Sequence, residues 1–360
     1  MKKTELKYER LIDWFHEKRV VGEFLPNQKL TSENQLCQMF QLSRQTIRKA
    51  LGILEEQGYL IRVRGSGTYL TNQATGTLGE KKRIALVTTY VDSYIFPKTI
   101  QGIENVFYTN GYSVQVSFTQ NHLDREKSIL SELIRQEDLA GIIIEATKSG
   151  IPNPNLDYYR TLINKKIPIL FINSYYPELP IPHVALNDKE IAKKAVRYLL
   201  EQGHTKIAGL FKLDDGQGHL RYEGYLEALN EAGKKEDEES VIWVDTIESK
   251  NLELSLTRIL SRIKGCSALL CYNDEIAVSL IGLLKKEGIF VPAHLSVISI
   301  DDSESAILSD VSLTSVRHPK EKLGEKAAEY MLKMIYKYNF NENFEFITEI
   351  VERSSVKKII

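Results

Sequence analysis

Apolar positions recur at helical spacing through the first sixty residues and give way to short continuous runs beyond residue 83. Leu11, Ile12, Trp14 and Phe15 lie on or beside one face of residues 8–21, which predicts an opening helix ended by Gly22 and Pro26. Ser32-Glu33-Asn34-Gln35 has capping-box spacing and predicts the start of a second helix. Ser43 is placed to cap a third, in which Ile47, Ala50, Leu51 and Leu54 recur at i, i+3, i+4 and i+7 before Gly58 stops it. Two short alternating runs, 59–64 and 68–71, flank Gly65-Ser66-Gly67 and predict a β-hairpin. Three helices followed by a hairpin predict a small α+β winged helix-turn-helix.

No periodicity survives across residues 72–82, which hold two glycines and read as connecting chain. Buried-strand runs then appear at 84–87, 114–118, 141–145, 167–172, 207–211, 241–244, 268–272 and 297–300, most of them separated by 10–20 residues of helical character. Such alternation predicts parallel sheets covered by helices on both faces. At this length the body divides better into two lobes than into one sheet. The expected organisation is therefore a head at 1–73, a linker at 74–82 and a two-lobed α/β body at 83–360.

Composition narrows the function. With 42% hydrophobic and 26% charged residues the chain is of ordinary globular type. It lacks both an apolar run long enough to span a bilayer and an apolar leader core, so no membrane partner is expected and a cytoplasmic location is. Cys37, Cys266 and Cys271 form no CxxC pair and are expected to be buried, reduced thiols. The overall charge of −1 conceals a head of net +4 on a body of net −5. A basic head fits nucleic acid, although many non-binding domains carry such a charge.

In the third helix Gln45, Arg48 and Lys49 point away from the apolar stripe, with Arg44 at the exposed first turn. Arginine can bond a guanine edge through two donors, glutamine can pair with adenine, and Ser43 or Thr46 can reach phosphate. On an isolated helix this would be an ordinary solvated face; the order of elements around it points to double-stranded DNA. The hairpin adds Arg62 and Arg64. Residues 25–70 resemble the GntR family of bacterial regulators through Leu25-Pro26, Leu30-Thr31-Ser32-Glu33-Asn34-Gln35-Leu36, Ser43-Arg44-Gln45-Thr46-Ile47-Arg48-Lys49-Ala50-Leu51, Gly58-Tyr59-Leu60 and Gly65-Ser66-Gly67-Thr68-Tyr69. The resemblance implies that Glu33, Arg44, Arg48 and the wing at Gly67 touch operator DNA, that Thr46 and Lys49 lie near phosphates, and that a homodimer reads a near-palindromic site.

The body has no Walker loop, GxGxxG, HExxH or GxSxG, and its histidines form no ligand-spaced cluster. No catalysis, cofactor or metal is expected. Polar and aromatic residues instead follow strand runs: Tyr94 and Phe96 after the first, then Glu145 and Lys148, Asn173, and Asn273-Asp274. Ligands of open α/β sheets bind at these strand ends, and a sugar needs polar groups for its hydroxyls and an aromatic face for its C–H side. Asp274 reads locally as a helix cap as readily as a ligand contact.

Residues 83–350 resemble the LacI/GalR regulatory domain, itself similar to periplasmic sugar-binding proteins, through Gly203-His204-Thr205-Lys206-Ile207-Ala208, Arg221-Tyr222-Glu223-Gly224-Tyr225, Tyr272-Asn273-Asp274-Glu275-Ile276-Ala277, Ile300-Asp301-Asp302-Ser303 and Leu313-Thr314-Ser315-Val316-Arg317-His318-Pro319. That resemblance implies that Arg221 and Asp274 hold the effector and that Asn173 lines the same cleft. A GntR-type head on a LacI-type body is similar to the arabinose-operon repressors, notably at 89–97, 145–149, 211–218 and 270–277, which implies L-arabinose as effector and release from operator DNA on binding it.

Overall fold

The computed structural model describes residues 8–20, 23–24, 27–56, 58–63, 65–71, 83–91, 94–234, 238–336 and 340–359. In the head, α1 (Glu9–Val20), α2 (Glu33–Phe40) and α3 (Arg44–Glu56) precede a hairpin of β1 (Leu60–Val63) and β2 (Gly67–Leu70). Ser32 accepts from the backbone of Gln35 while the Gln35 side chain accepts from the backbone of Ser32, so the capping box forms as its spacing predicts. Ser43 Oγ accepts from Thr46 N at 3.2 Å and starts α3. Ile47, Ala50, Leu51 and Leu54 are buried with Leu11, Phe15, Leu36 and Tyr59 in one small core. The chain at 27–30 pairs with β2 through a Lys29–Tyr69 bridge and widens the wing.

The body opens with β3 (Arg83–Thr88), α4 (Phe96–Thr109), β4 (Ser113–Phe118), α5 (Leu123–Leu133), β5 (Leu139–Ile144), α6 (Leu156–Asn164), β6 (Ile169–Ile172) and β7 (His183–Leu186). The second lobe follows: α7 (Asp188–Glu201), β8 (Ile207–Lys212), α8 (Gly216–Glu231), β9 (Val241–Val244), α9 (Thr246–Lys250), α10 (Leu256–Ile263), β10 (Ala268–Cys271), α11 (Asp274–Lys286), β11 (Ser296–Asp301), α12 (Glu304–Leu308) and β12 (Thr314–Arg317). The chain then returns to the first lobe as α13 (Lys320–Tyr336) and β13 (Phe344–Phe346), and ends in the second with β14 (Ile350–Val351).

Each lobe holds one six-stranded sheet, ordered β13-β7-β6-β5-β3-β4 and β14-β12-β11-β10-β8-β9. All pairings within them are parallel except β12 with β14. Central strands such as Ile142–Ile144 and Leu269–Cys271 are buried on both faces, as their unbroken apolar runs require. The chain crosses between lobes three times, between β7 and α7, between β12 and α13, and between β13 and β14. These crossings put the carboxyl ends of both sheets on one inter-lobe cleft.

Two helices fix the first lobe. Gly102 of α4 and Gly324 of α13 face each other, and a Cβ on Gly102 would lie 2.3 Å from the Glu321 carbonyl oxygen. Backbones touch there because neither residue has a side chain. The cysteines are all free, but only Cys271 is fully buried; Cys37 and Cys266 are partly exposed, each packed at the margin of a core, Cys37 in the head and Cys266 in the second lobe.

Candidate functional site

The first candidate surface is the outer face of α3. Burial of Ile47 and Ala50 turns Arg44, Gln45, Arg48 and Lys49 outward, all of them exposed, with Ser43 exposed at the cap and Thr46 half-buried behind it. Arg48 Nε lies 2.9 Å from Glu33 Oε2 and Arg44 Nε 3.9 Å from the same oxygen. Glu33 thus sits between the two arginines and orients both. At this exposure the pair contributes little to stability, so orientation is its main effect. Lys49 Nζ stands 4.3 Å above the Tyr8 ring. Gly67, at φ 132°, lets the wing fold over Lys29, and Arg62 pairs with Glu55 at 3.2 Å. Arg64 lies outside the described residues.

The second candidate is the inter-lobe cleft, a cavity of about 460 Å³, within the size range of small-ligand pockets. From the first lobe come Tyr90, Tyr94, Phe96 and Glu145; from the second come Lys212, Asp215, Arg221, Tyr272 and Asp301. Arg221, 2% exposed, donates from Nε to Asp188 Oδ1 at 2.8 Å and from a terminal nitrogen to the Tyr272 carbonyl at 2.5 Å. Its other terminal nitrogen is 3.9 Å from Asp301 Oδ1, and its guanidinium carbon lies 4.6 Å from the Tyr272 ring centre. Burial pushes Asp188 up to about 6 although Arg221 opposes it. Tyr94 donates to Asp301 Oδ2 at 2.5 Å across the cleft. Burial, reinforced by Asp301, holds the Tyr94 phenol protonated well past its usual range.

Glu145 is 5% exposed and accepts from Thr89 N at 2.7 Å, from the Thr89 hydroxyl and from Asn173 Nδ2 at 3.1 Å. Burial raises its pKa despite these donors. Lys212 pairs with Asp215 at 2.7 Å. Both buried cations of the cleft are therefore already matched by carboxylates, and Glu145 adds further acceptors. This charge balance suits a neutral polyhydroxyl ligand and disfavours an anion.

Residues 7–70 match the bacterial regulatory proteins of the gntR family, and residues 196–356 match the periplasmic binding protein-like domain. The arabinose metabolism transcriptional repressor of Geobacillus stearothermophilus is 36% identical over 99% of this chain and 98% of its own length. That of Halalkalibacterium halodurans is 37% identical over 92% of this chain and 90% of its own. The chain belongs to the arabinose metabolism transcriptional repressors. Its body shares the fold of LacI-type regulators: the transcription regulator CcpA of Lactococcus lactis superposes with a TM-score of 0.69 at 22% identity, covering 77% of this chain and all of that one. A transcriptional regulator CelR–cellobiose complex superposes at the same score over 88% of this chain and 92% of its own, at 20% identity.

Within this repressor fold the residues expected to bind effector separate into two groups. Tyr94, Phe96, Glu145 and Arg221 line the cleft. Asp274 does not. It is fully buried below the cleft floor, where Oδ1 accepts from the Ser299 and Ser315 hydroxyls and Oδ2 from Ser303 N at 2.6 Å. Its neighbour Asn273 is the actual cap of α11, accepting from Ile276 N at 3.0 Å, and Asn273 faces the cleft. Lys148 also turns away, toward Asp214 of the other lobe at 3.4 Å. Asn173 stands behind Glu145 and orients it, while its own Oδ1 has no hydrogen-bond partner among the described residues.

The cleft residues that sequence reasoning passed over are chiefly Asp301, Lys212, Asp215 and Tyr272. Asp301 ends β11 at φ 109°, with Asp302 at 44°. A left-handed Asp-Asp pair at a strand end is uncommon for residues with a Cβ and bends the carboxylate into the cleft. Among the described residues no His, Cys, Asp and Glu cluster could hold a metal ion, and no helix is long and apolar enough to cross a membrane.

Proposed function

We propose that this repressor binds operator DNA through α3 and the wing and is released by L-arabinose bound in the inter-lobe cleft. The observation that carries the ligand reading is the Arg221–Asp188–Asp301 cluster facing Glu145 across a cavity whose two buried cations, Arg221 and Lys212, are already paired with carboxylates. A pentose offers hydroxyls to these carboxylates and amides and a C–H face to Phe96 or Tyr90. The arabinose repressors that align over 92–99% of this chain support the choice of sugar.

On the DNA side, Arg44, Gln45 and Arg48 are the proposed base readers, Glu33 aligns the arginines, and Ser43, Thr46, Lys49 and Gly67 with Arg64 meet the backbone or minor groove. A homodimer presents two such heads. Its proposed interface is the flank carrying exposed Val116 and Phe118 on edge strand β4 and exposed Ile247 and Leu254 beside edge strand β9. The two edges adjoin, since Asn121 beyond β4 donates to Thr246 beyond β9 at 2.8 Å.

Release requires the sugar to favour the DNA-incompetent arrangement. A hundredfold loss of operator affinity needs only about 3 kcal/mol of such preference. The lobes already touch, through Ser149 Oγ accepting from Gly216 N at 2.9 Å and through Tyr94 bonded to Asp301. Sugar therefore adds to an existing closure. Calorimetry of the full chain with L-arabinose, D-xylose and D-galactose, paired with operator titrations in each sugar, tests the reading. Heat and operator release with L-arabinose alone is the expected result; no heat with it removes the ligand from the proposal.

A further inference from the structure

The head is seated on the first lobe where α1 meets α13, and Tyr336, at the carboxyl end of α13, enters the core of the head. Its ring stacks on His16 of α1 with centroids 4.2 Å apart and planes within 6°. Tyr59 meets it edge-on at 6.2 Å, so Tyr336 packs against the core of the head although it belongs to the body. On the body side the Tyr112 hydroxyl donates to the Tyr336 hydroxyl at 3.3 Å, and Tyr112 packs edge-on against Phe107 of α4 at 5.9 Å.

The same α4 begins at the sugar cleft. Phe96, its first residue, and Tyr94, just before it, both line the cavity. A 14-residue helix covers about 21 Å, so α4 reaches from the cleft to the turn that touches Tyr336. Along its course it is locked to α13 by the Gly102–Gly324 backbone contact, where no side chain intervenes to absorb a displacement. Any movement of Tyr94 and Phe96 on a ligand is thereby passed to the C-terminal turn of both helices. The reading helix stays uncovered throughout, with the Arg44 and Arg48 side chains about three-fifths exposed. Docking thus fixes where α3 points and does not block it.

We infer that the Tyr336–His16 stack is a docking joint that sets head orientation, and that cleft state reaches the head through α4, α13 and this joint. The coupling half of the inference rests on the proposed sugar site; the docking half does not. In a dimer, half-site spacing depends on how each head is held, so a joint of this kind alters operator affinity without touching DNA. It is also a discrete packed contact with a made and an unmade arrangement, the kind of element that two ligands can bias.

The test uses the full chain and the variants Tyr336→Ala, Tyr336→Phe and His16→Ala. Operator titrations with and without L-arabinose give the coupling ratio, and calorimetry gives sugar affinity. For a wild-type ratio of ~100, Tyr336→Ala and His16→Ala are expected to fall below roughly 10 with sugar affinity held within about twofold, while Tyr336→Phe, which keeps the stacking ring, retains most of the ratio. Hydrogen exchange without sugar reads docking separately: α1 amides should exchange faster in both alanine variants than in wild type. Unchanged α1 protection overturns the joint. A wild-type ratio in both alanine variants overturns the coupling route. If L-arabinose gives no heat with wild type, the sugar reading fails while the exchange result still decides docking. Should Tyr336→Ala lose its fold by circular dichroism, His16→Ala on the head side carries the same decision.

Discussion

Asp301 and Asp274 lie on either side of the cleft floor, and exchanging each for its amide separates ligand contact from scaffold. In Asp301→Asn the side chain keeps an acceptor for Tyr94, and Arg221 keeps its 2.8 Å bond to Asp188. What disappears is a charged acceptor facing the cavity. A hydrogen bond to a charged group is worth about 1.5–3 kcal/mol, so L-arabinose affinity should fall roughly 10- to 150-fold with the melting temperature close to wild type. In Asp274→Asn the reverse holds. Two serine hydroxyls and the Ser303 N–H converge on that carboxylate, and the amide turns a donor toward one of them. Leaving a buried donor unmatched costs about 1–3 kcal/mol, several degrees in melting temperature for a domain of this size. Sugar affinity of the folded protein should hold. Calorimetry beside thermal unfolding by circular dichroism reads both. Lost affinity in Asp274→Asn with normal affinity in Asp301→Asn would refute the assignment.

The same carboxylate gives a pH signature. Burial, with Asp301 second, lifts Asp274 to about 6 from 3.8, so the folded state holds its proton more tightly than the unfolded chain between those values, and the stability it contributes is present at lower pH and lost as pH rises through 6. His318, lowered by burial to about 4, acts oppositely, losing stability as pH falls below its unfolded value. Comparing wild type with Asp274→Asn at pH 7.5 and 5.5 cancels the histidine, and the melting-temperature advantage of wild type should grow at pH 5.5. On the reading helix, Arg44→Ala and Arg48→Ala should each weaken operator binding by about 1–3 kcal/mol and relax base preference, whereas Lys49→Ala should weaken all sequences alike and flatten the salt slope; gel-shift titrations at several salt concentrations distinguish them. Gly102→Ala drives a methyl group into the Glu321 carbonyl and should cost about 1–3 kcal/mol in chemical denaturation. Phe118→Glu on edge strand β4 should shift the full chain toward monomer in analytical ultracentrifugation.

Local rules made the head readable. Its capping box, its apolar stripe and its glycine turn each act within a few residues, and each forms where the pattern puts it. The central strands were equally plain, because burial on both faces leaves unbroken apolar runs. Four strands escaped notice: His183–Leu186, Thr314–Arg317, Phe344–Phe346 and Ile350–Val351 are short, and all but the last mix polar with apolar residues. Among the cleft candidates, spacing pointed to the polar residues after β10 but not to which of Asn273 and Asp274 faces the cleft. Asn273 takes the cap, and that rotates Asp274 inward toward serines from β11 and β12, a choice made by residues 25 to 41 positions away. Asp301 was missed because its placement depends on a left-handed turn that strand patterning does not encode.

The end of the chain works as a stitch. After α13 it lends β13 to one sheet and β14 to the other, and buried Ser355 then accepts from Thr314 N at 2.8 Å while donating to the Val297 carbonyl. Ile359 N reaches the Gln202 carbonyl at 2.8 Å, and its own carbonyl fills the space beside Gly203. These residues leave the ribosome after every other element of both lobes. The head, whose core draws almost wholly on residues 8–70, has its own contacts available long before then. During synthesis the head is thus free to fold first, and both sheets of the body are completed only once this segment has been sewn in, so a truncation before residue 344 should spare the fold of the head and leave both lobes short of a strand.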